Sequence, residues 1–131
     1  MGIWSLLFGR EPNRQQDKDT NVEWIMLNGN SQLYDVDNNV EGKVQLIYKH
    51  STTCGISSVV LRRLEHQIRG MEGDADLYFL DVHRHREVSN AIADRYKLRH
   101  QTPQLLILKQ GELVAAASHG AIADLDLKQY L

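Results

Sequence analysis

The chain has 131 residues, 15 basic against 17 acidic side chains, a formal charge of −2 and a single cysteine. That charge balance gives no electrostatic case for a nucleic-acid partner or an anionic membrane surface. One cysteine excludes an internal disulfide and any cysteine-rich zinc site within one chain. At this length, with 42% hydrophobic residues, a single domain can build a core without either.

The stretch Met1 to Phe8 is apolar but too short to span a bilayer, and it lacks the basic start and small-residue cleavage site of a secretory leader. Leu6 stands where a myristoylation signal carries Ser or Thr. The stretch reads as a hydrophobic arm, followed by a polar linker. The expected division is an arm and linker over residues 1–21 and a folded domain over residues 22–131, in the cytoplasm.

In chain order, Val22 to Leu27 reads as a short edge strand. Asn30 or Ser31 can cap a helix that runs through Leu33, Tyr34 and Val36 and stops near Gly42. Val44 to Lys49 is β-branched and aromatic, the pattern of a buried central strand. After Ser51, Thr52 and Thr53, the residues Ile56, Val59, Val60, Leu64 and Ile68 recur at helical spacing. They predict an amphipathic helix that buries this stripe, leaves Arg62, Arg63, Glu65 and Arg69 mostly outside it, and stops at Gly70. Leu77 to Val82 is the next strand, and Val88, Ala91, Ile92 and Tyr96 mark a further helix. Gln104 to Leu108 and Leu113 to Ala117 read as two strands of a hairpin around Lys109, Gln110, Gly111 and Glu112. Ala121 to Leu131 reads as a final short helix. The order β-α-β-α-β-α-β-β-α predicts an α/β domain with parallel crossovers first and an antiparallel hairpin at one edge. Periodicity alone leaves several α/β sandwiches open.

Cys54 falls between the predicted central strand and the first turn of the amphipathic helix. Unpaired N–H groups and the helix dipole favour an anion there, and the thiolate is the attacking species in disulfide exchange. A lone cysteine is more often a small buried apolar residue. Thr53 and Gly55 on either side make a polar turn in which deep burial is not expected. The segment Cys54-Gly55-Ile56-Ser57 has serine where a dithiol enzyme carries its second sulfur. A mixed disulfide at Cys54 must then be resolved by an outside thiol. Ser57 is expected either to hydrogen-bond the sulfur or to be an ordinary polar residue of a first turn. Pro103, the only proline of the predicted domain, follows Thr102 at the start of a strand.

With these elements in place, the chain resembles the YtxJ-type monothiol bacilliredoxins, a thioredoxin-like family. The match is carried by Tyr48-Lys-His-Ser-Thr-Thr-Cys-Gly-Ile-Ser57, Ser89-Asn-Ala-Ile-Ala93, His100-Gln-Thr-Pro-Gln104, the Lys109-Gln-Gly-Glu112 hairpin and Ser118-His119. It runs from about Trp24 to Ile122. The resemblance implies a thioredoxin-like fold with a mixed central sheet flanked by helices, and a cis bond before Pro103 facing the reacting sulfur. It also implies a monothiol oxidoreductase that removes bacillithiol from S-thiolated proteins through Cys54 as catalytic residue. Thr53, Gly55, Ile56, Ser57, Thr102 and Pro103 would then touch the substrate. Lys49, His50 and His119 are candidates to stabilise the thiolate, with His100 a weaker one. Gly55 departs from the proline that family commonly has.

The partners expected are S-thiolated proteins and a low-molecular-weight thiol or a reductase, with no bound cofactor, no metal, no nucleic acid and no membrane, in a monomer or weak homodimer. Two other readings compete. Cys54-Gly-Ile-Ser57 is similar to the motif of monothiol glutaredoxins, which hold an iron–sulfur cluster with glutathione, although no Gly-Gly segment follows Pro103. The other is a redox-inactive thioredoxin-like adaptor. His83 and His85 read as a chance exposed pair rather than a zinc site.

Overall fold

The computed structural model describes residues 22–38, 42–69, 71 and 74–131. The arm and linker of residues 1–21 and the expected stop at Gly70 lie outside the described residues. The strands are β1 (Ile25–Met26), β2 (Val44–His50), β3 (Ala75–Asp81), β4 (Gln104–Lys109) and β5 (Glu112–Ser118). The helices are α1 (Ser31–Asp37), α2 (Gly55–Ile68) and α3 (Arg86–Tyr96), and two 3-10 helices, His119–Asp124 and Leu127–Tyr130, close the chain.

One five-stranded sheet runs in the order β1-β3-β2-β4-β5. β2 and β1 both lie parallel to β3, and β4 and β5 add an antiparallel edge. β2 is buried along its whole length, on both faces of the sheet, and carries Gln45, Lys49 and His50 among its apolar residues. One face packs Leu46 and Tyr48 under Val60, Leu64 and Ile68 of α2, with Ile122 and Leu127 from the 3-10 helices. The other packs Ile47, Leu106 and Leu108 against Leu33 and Val36 of α1 and Val88 and Ile92 of α3. The sheet is therefore a middle layer between helices, and β2 delivers successive side chains to opposite layers.

Several boundaries differ from expectation. β1 pairs over two residues because the Gln32 side chain accepts from Asn28 and Gly29 N–H and donates to the Met26 carbonyl, curling the chain away. α1 ends at Asp37, before Gly42, and Tyr34 faces solvent while Leu33 and Val36 carry the packing. Along α2 the buried line is Ser57, Val60, Leu64 and Ile68, and Ile56 and Val59 are 44% and 51% exposed. The expected final α-helix is two 3-10 turns broken at Leu125, which is extended. Ile122 and Leu127 are both buried but five apart, so one α-helix would point them well over a right angle apart. The break lets both reach the core, and Asp126 restarts the chain by accepting from Lys128 N–H. The β4–β5 hairpin turns at Gln110 and Gly111, both with positive φ, and a Cβ at Gly111 would lie 2.9 Å from the Asp37 carbonyl oxygen.

Candidate active site

β2, buried along its whole length, ends at His50, and five residues later the chain enters α2 at Gly55, so the turn holding Cys54 joins a buried strand to a helix. Cys54 is the residue that precedes the first helical position, in extended conformation, and it is half-buried. Its N–H donates to the Ser51 carbonyl (3.2 Å) and its carbonyl accepts from Ser57 N–H (3.1 Å), which fixes the turn on both sides. No side chain caps α2. The amides ahead of Ser57 therefore have no side-chain partner at the helix end where negative charge is favoured. A Cβ at Gly55 would meet nothing within 4 Å, so the space there does not require glycine.

Ser57 is fully buried, not an ordinary first-turn residue. Its hydroxyl lies 2.9 Å from His50 Nδ1 and accepts from Ser51 N–H at 3.3 Å. The Tyr48 phenol donates to the Ser57 carbonyl at 2.7 Å. These contacts tie the first turn of α2 to the end of β2. Burial pushes the Tyr48 phenol up to about 12, helped by the nearby Cys54 and Glu65 charges, so it stays a donor at neutral pH. Burial lowers the pKa of His50, with Asp81 pulling the other way. Trp24, Tyr48, His50 and Phe79 form a ring cluster below, with Phe79 5.2 Å from the His50 ring. Trp24 anchors it through Nε1, which donates to Glu65 at 2.7 Å. Ser57→Ala is expected to cost about 1–3 kcal/mol, because it strands buried groups on His50 and Ser51. Urea unfolding monitored by tryptophan fluorescence would measure it, and an unchanged midpoint would mean the network contributes nothing.

Lys49 alternates to the opposite layer. Its ammonium is fully buried, donating to the Ser89 carbonyl (3.2 Å) and meeting His100 Nδ1 at 3.3 Å. Ser89 Oγ also contacts that nitrogen, at 3.0 Å. Burial lowers Lys49 to about 8. His100 is lowered too, by burial and then by Lys49 and Arg86. The contacts of Lys49 are thus with α3 and the segment before Pro103.

Gln104 pairs with Lys49, which sets Pro103 level with His50 at the strand end leading into the Cys54 turn. The Thr102–Pro103 bond is cis. On the far side, Gln104 pairs with Ser118, and His119 N–H donates to the Pro103 carbonyl at 2.9 Å. His119 has φ 58 and an exposed side chain. Thr102 and Ser51 line one cavity of about 90 Å³ with Val82, His83, Arg86, Ser89, Asn90 and His100.

The monothiol bacilliredoxin BrxC family model matches residues 25–127. The chain belongs to this bacilliredoxin family. Its single cysteine is consistent with the monothiol description. A solved thioredoxin-fold protein is 32% identical, covering 75% of this chain and 84% of its own, with a TM-score of 0.66. The thioredoxin of Malassezia sympodialis shares 15% identity over 82% of this chain and 87% of its own, at TM-score 0.66. That of Schistosoma mansoni shares 20% over 84% and 100%, at TM-score 0.65. The fold is thioredoxin-like, and family and fold together make this bacilliredoxin a thiol oxidoreductase.

Three features of the bacilliredoxin site were not foreseen. His83 is exposed, as expected, but its ring is held by Ser51 Oγ (2.8 Å) and Thr53 Oγ1 (3.1 Å), so it belongs to the Cys54 turn. Among the described residues no group of three His, Cys, Asp or Glu side chains gathers at metal-binding distance. Tyr48 was read only as a strand aromatic, and the contact of buried Lys49 with His100 spans residues 51 apart. Only a placed sheet register could have revealed that pair.

Proposed function

We propose that this bacilliredoxin removes a low-molecular-weight thiol, bacillithiol, from S-thiolated protein cysteines by exchange at Cys54, in the cytoplasm. The observation that carries the reading is the placement of the chain's one thiol, half-buried at the start of α2 with no side-chain cap there, and of a cis Thr102–Pro103 bond level with the end of β2. The Cys54 sulfur attacks the cap's sulfur, a new disulfide forms between them, and the disulfide between the cap's sulfur and the protein's sulfur breaks. The protein leaves as a thiolate and takes a proton, so one disulfide is exchanged for another with no net oxidation. A second small thiol or a reductase then attacks the Cys54 adduct.

Within this reading the substrate crosses the turn Thr53, Gly55, Ile56 and Ser57 on one side and Thr102 and Pro103 on the other. Exposed Ile56 offers an apolar contact for the carrier protein. His50 acts through Ser57 as a positioning residue, and His119 borders the site from the β5 end. Lys49, engaged with α3, supports the cap rather than the sulfur. The folding unit is residues 22–131, as a monomer or weak homodimer. The family match favours this account over the glutaredoxin-type and adaptor readings.

The test is single-turnover reaction with a model protein capped by bacillithiol and, separately, by glutathione, followed by intact mass. The expected result is transfer of the bacillithiol mass to Cys54, faster than glutathione. Transfer of neither cap would overturn the exchange mechanism.

A further inference from the structure

The cavity beside Thr102 is walled by the start of α3, the end of β2 and the segment before the cis bond. Its lining includes Arg86, His83, His100 and Asn90, and no carboxylate. The buried Lys49 ammonium lies behind the same wall, bonded to Ser89 and His100, both of which line the cavity. Among the described residues Arg86 makes no ion pair, and the hydrogen-bond partners of Lys49 are neutral. A buried cation is normally compensated by an acid, and this one has none in contact. The cavity also opens at the reacting turn. Ser51, one of its walls, takes the Cys54 N–H on its carbonyl and touches Thr53 and His83 with its hydroxyl.

We propose that this cavity is the subsite for a carboxylate carried by the small-thiol cap, with Arg86, Asn90 and His100 as its donors and Lys49 as the charge beneath. The inference rests on the exchange reading above and adds to it a reason why the right sulfur is attacked. A protein–cap disulfide has two sulfurs, and attack on the wrong one leaves Cys54 joined to the protein. A cap held by its carboxylate presents its own sulfur to Cys54, while the carrier protein lies outward and leaves as the thiolate. The released protein takes the proton, and the cap's sulfur ends bonded to Cys54.

The decisive experiment uses two caps of equal length on one carrier protein, 3-mercaptopropionate and the neutral 3-mercaptopropionamide. Single-turnover transfer to Cys54 is followed by intact mass. The full chain is expected to take the carboxylate cap about tenfold faster, the worth of one charge-assisted contact. Arg86→Gln should bring that rate down toward the neutral one. Arg84→Gln, a neighbouring exposed charge outside the cavity, should alter neither. Succinate titrated into the protein should move the His100 ring-proton resonances in the full chain and less so in Arg86→Gln. Equal rates for the two caps, or equal effects of Arg84→Gln and Arg86→Gln, would overturn the subsite while leaving exchange intact. Failure of both caps to move would sink the exchange reading and the subsite with it.

Discussion

Cys54→Ser is expected to abolish cap removal, leaving the capped carrier protein at its uncatalysed rate. The hydroxyl of serine is not ionised near neutral pH and cannot attack a disulfide sulfur, and the chain has no other sulfur nucleophile among its cysteines to take over. The effect is therefore all or nothing, unlike the graded losses expected from Thr53, Thr102 or His50. The native chain has its own limit. With serine at position 57 it should stop after one turnover, with the cap's mass on Cys54, and resume only when a free small thiol or reductase is added. For the same reason it should reduce insulin no faster than dithiothreitol alone. Intact mass against time, with and without added thiol, checks both statements. Continued cap removal by Cys54→Ser would show that another group does the chemistry.

Lys49→Met should make the protein more stable and less discriminating. Burying a charged ammonium lowers its pKa from 10.5 to about 8, which corresponds to roughly 3 kcal/mol held against folding at neutral pH. Methionine fills similar space without charge, and the lost contacts to Ser89 and His100 offset part of the gain. The net expectation is an increase of about 1–3 kcal/mol. The pH dependence follows from the direction of the shift. Between about pH 8 and 10 the unfolded chain holds a proton on Lys49 that the folded chain has lost, so native stability rises with pH across that window. Above it the sign reverses. Tyr48 and Tyr78, both raised by burial, stay protonated in the fold while their unfolded counterparts ionise. Urea midpoints at pH 7 and pH 9.5 for both proteins test this, and the difference between them should shrink at the higher pH. A variant less stable than the native chain at pH 7 would show that Lys49 stabilises the fold. The variant should also lose part of any preference for a carboxylate cap.

The sheet was legible in the sequence because its strands carry long apolar or β-branched runs, and the order of strands and helices follows from their alternation. The likeness to the bacilliredoxins, carried by Tyr48 to Ser57 and by His100 to Gln104, agrees with the family that matches residues 25–127. The side of α2 that packs was less legible. Ile56 and Val59 look like core residues by spacing, yet Ser57 is buried in their place because His50 and Ser51 N–H need its hydroxyl. Periodicity weighs side chains one at a time and cannot see a serine made welcome by partners six and seven residues earlier. The Lys49–His100 contact failed to show for the same reason at longer range, since it depends on strand register. The C-terminal turns escaped because helical spacing was assumed where Ile122 and Leu127 both had to reach one core.

The absence of a second sulfur beside Cys54 has a stoichiometric consequence. A dithiol that closes its own disulfide exchanges with two molecules of small thiol, so its oxidised fraction depends on the square of the free-thiol concentration over that of the disulfide. A single exchangeable sulfur trades one molecule for one. At equilibrium its capped fraction depends on the plain ratio of disulfide to free thiol, and halving both leaves it unchanged. A cell that dilutes or doubles its thiol stock at constant ratio would leave this protein's loading where it was. What moves the loading is a change in the ratio itself.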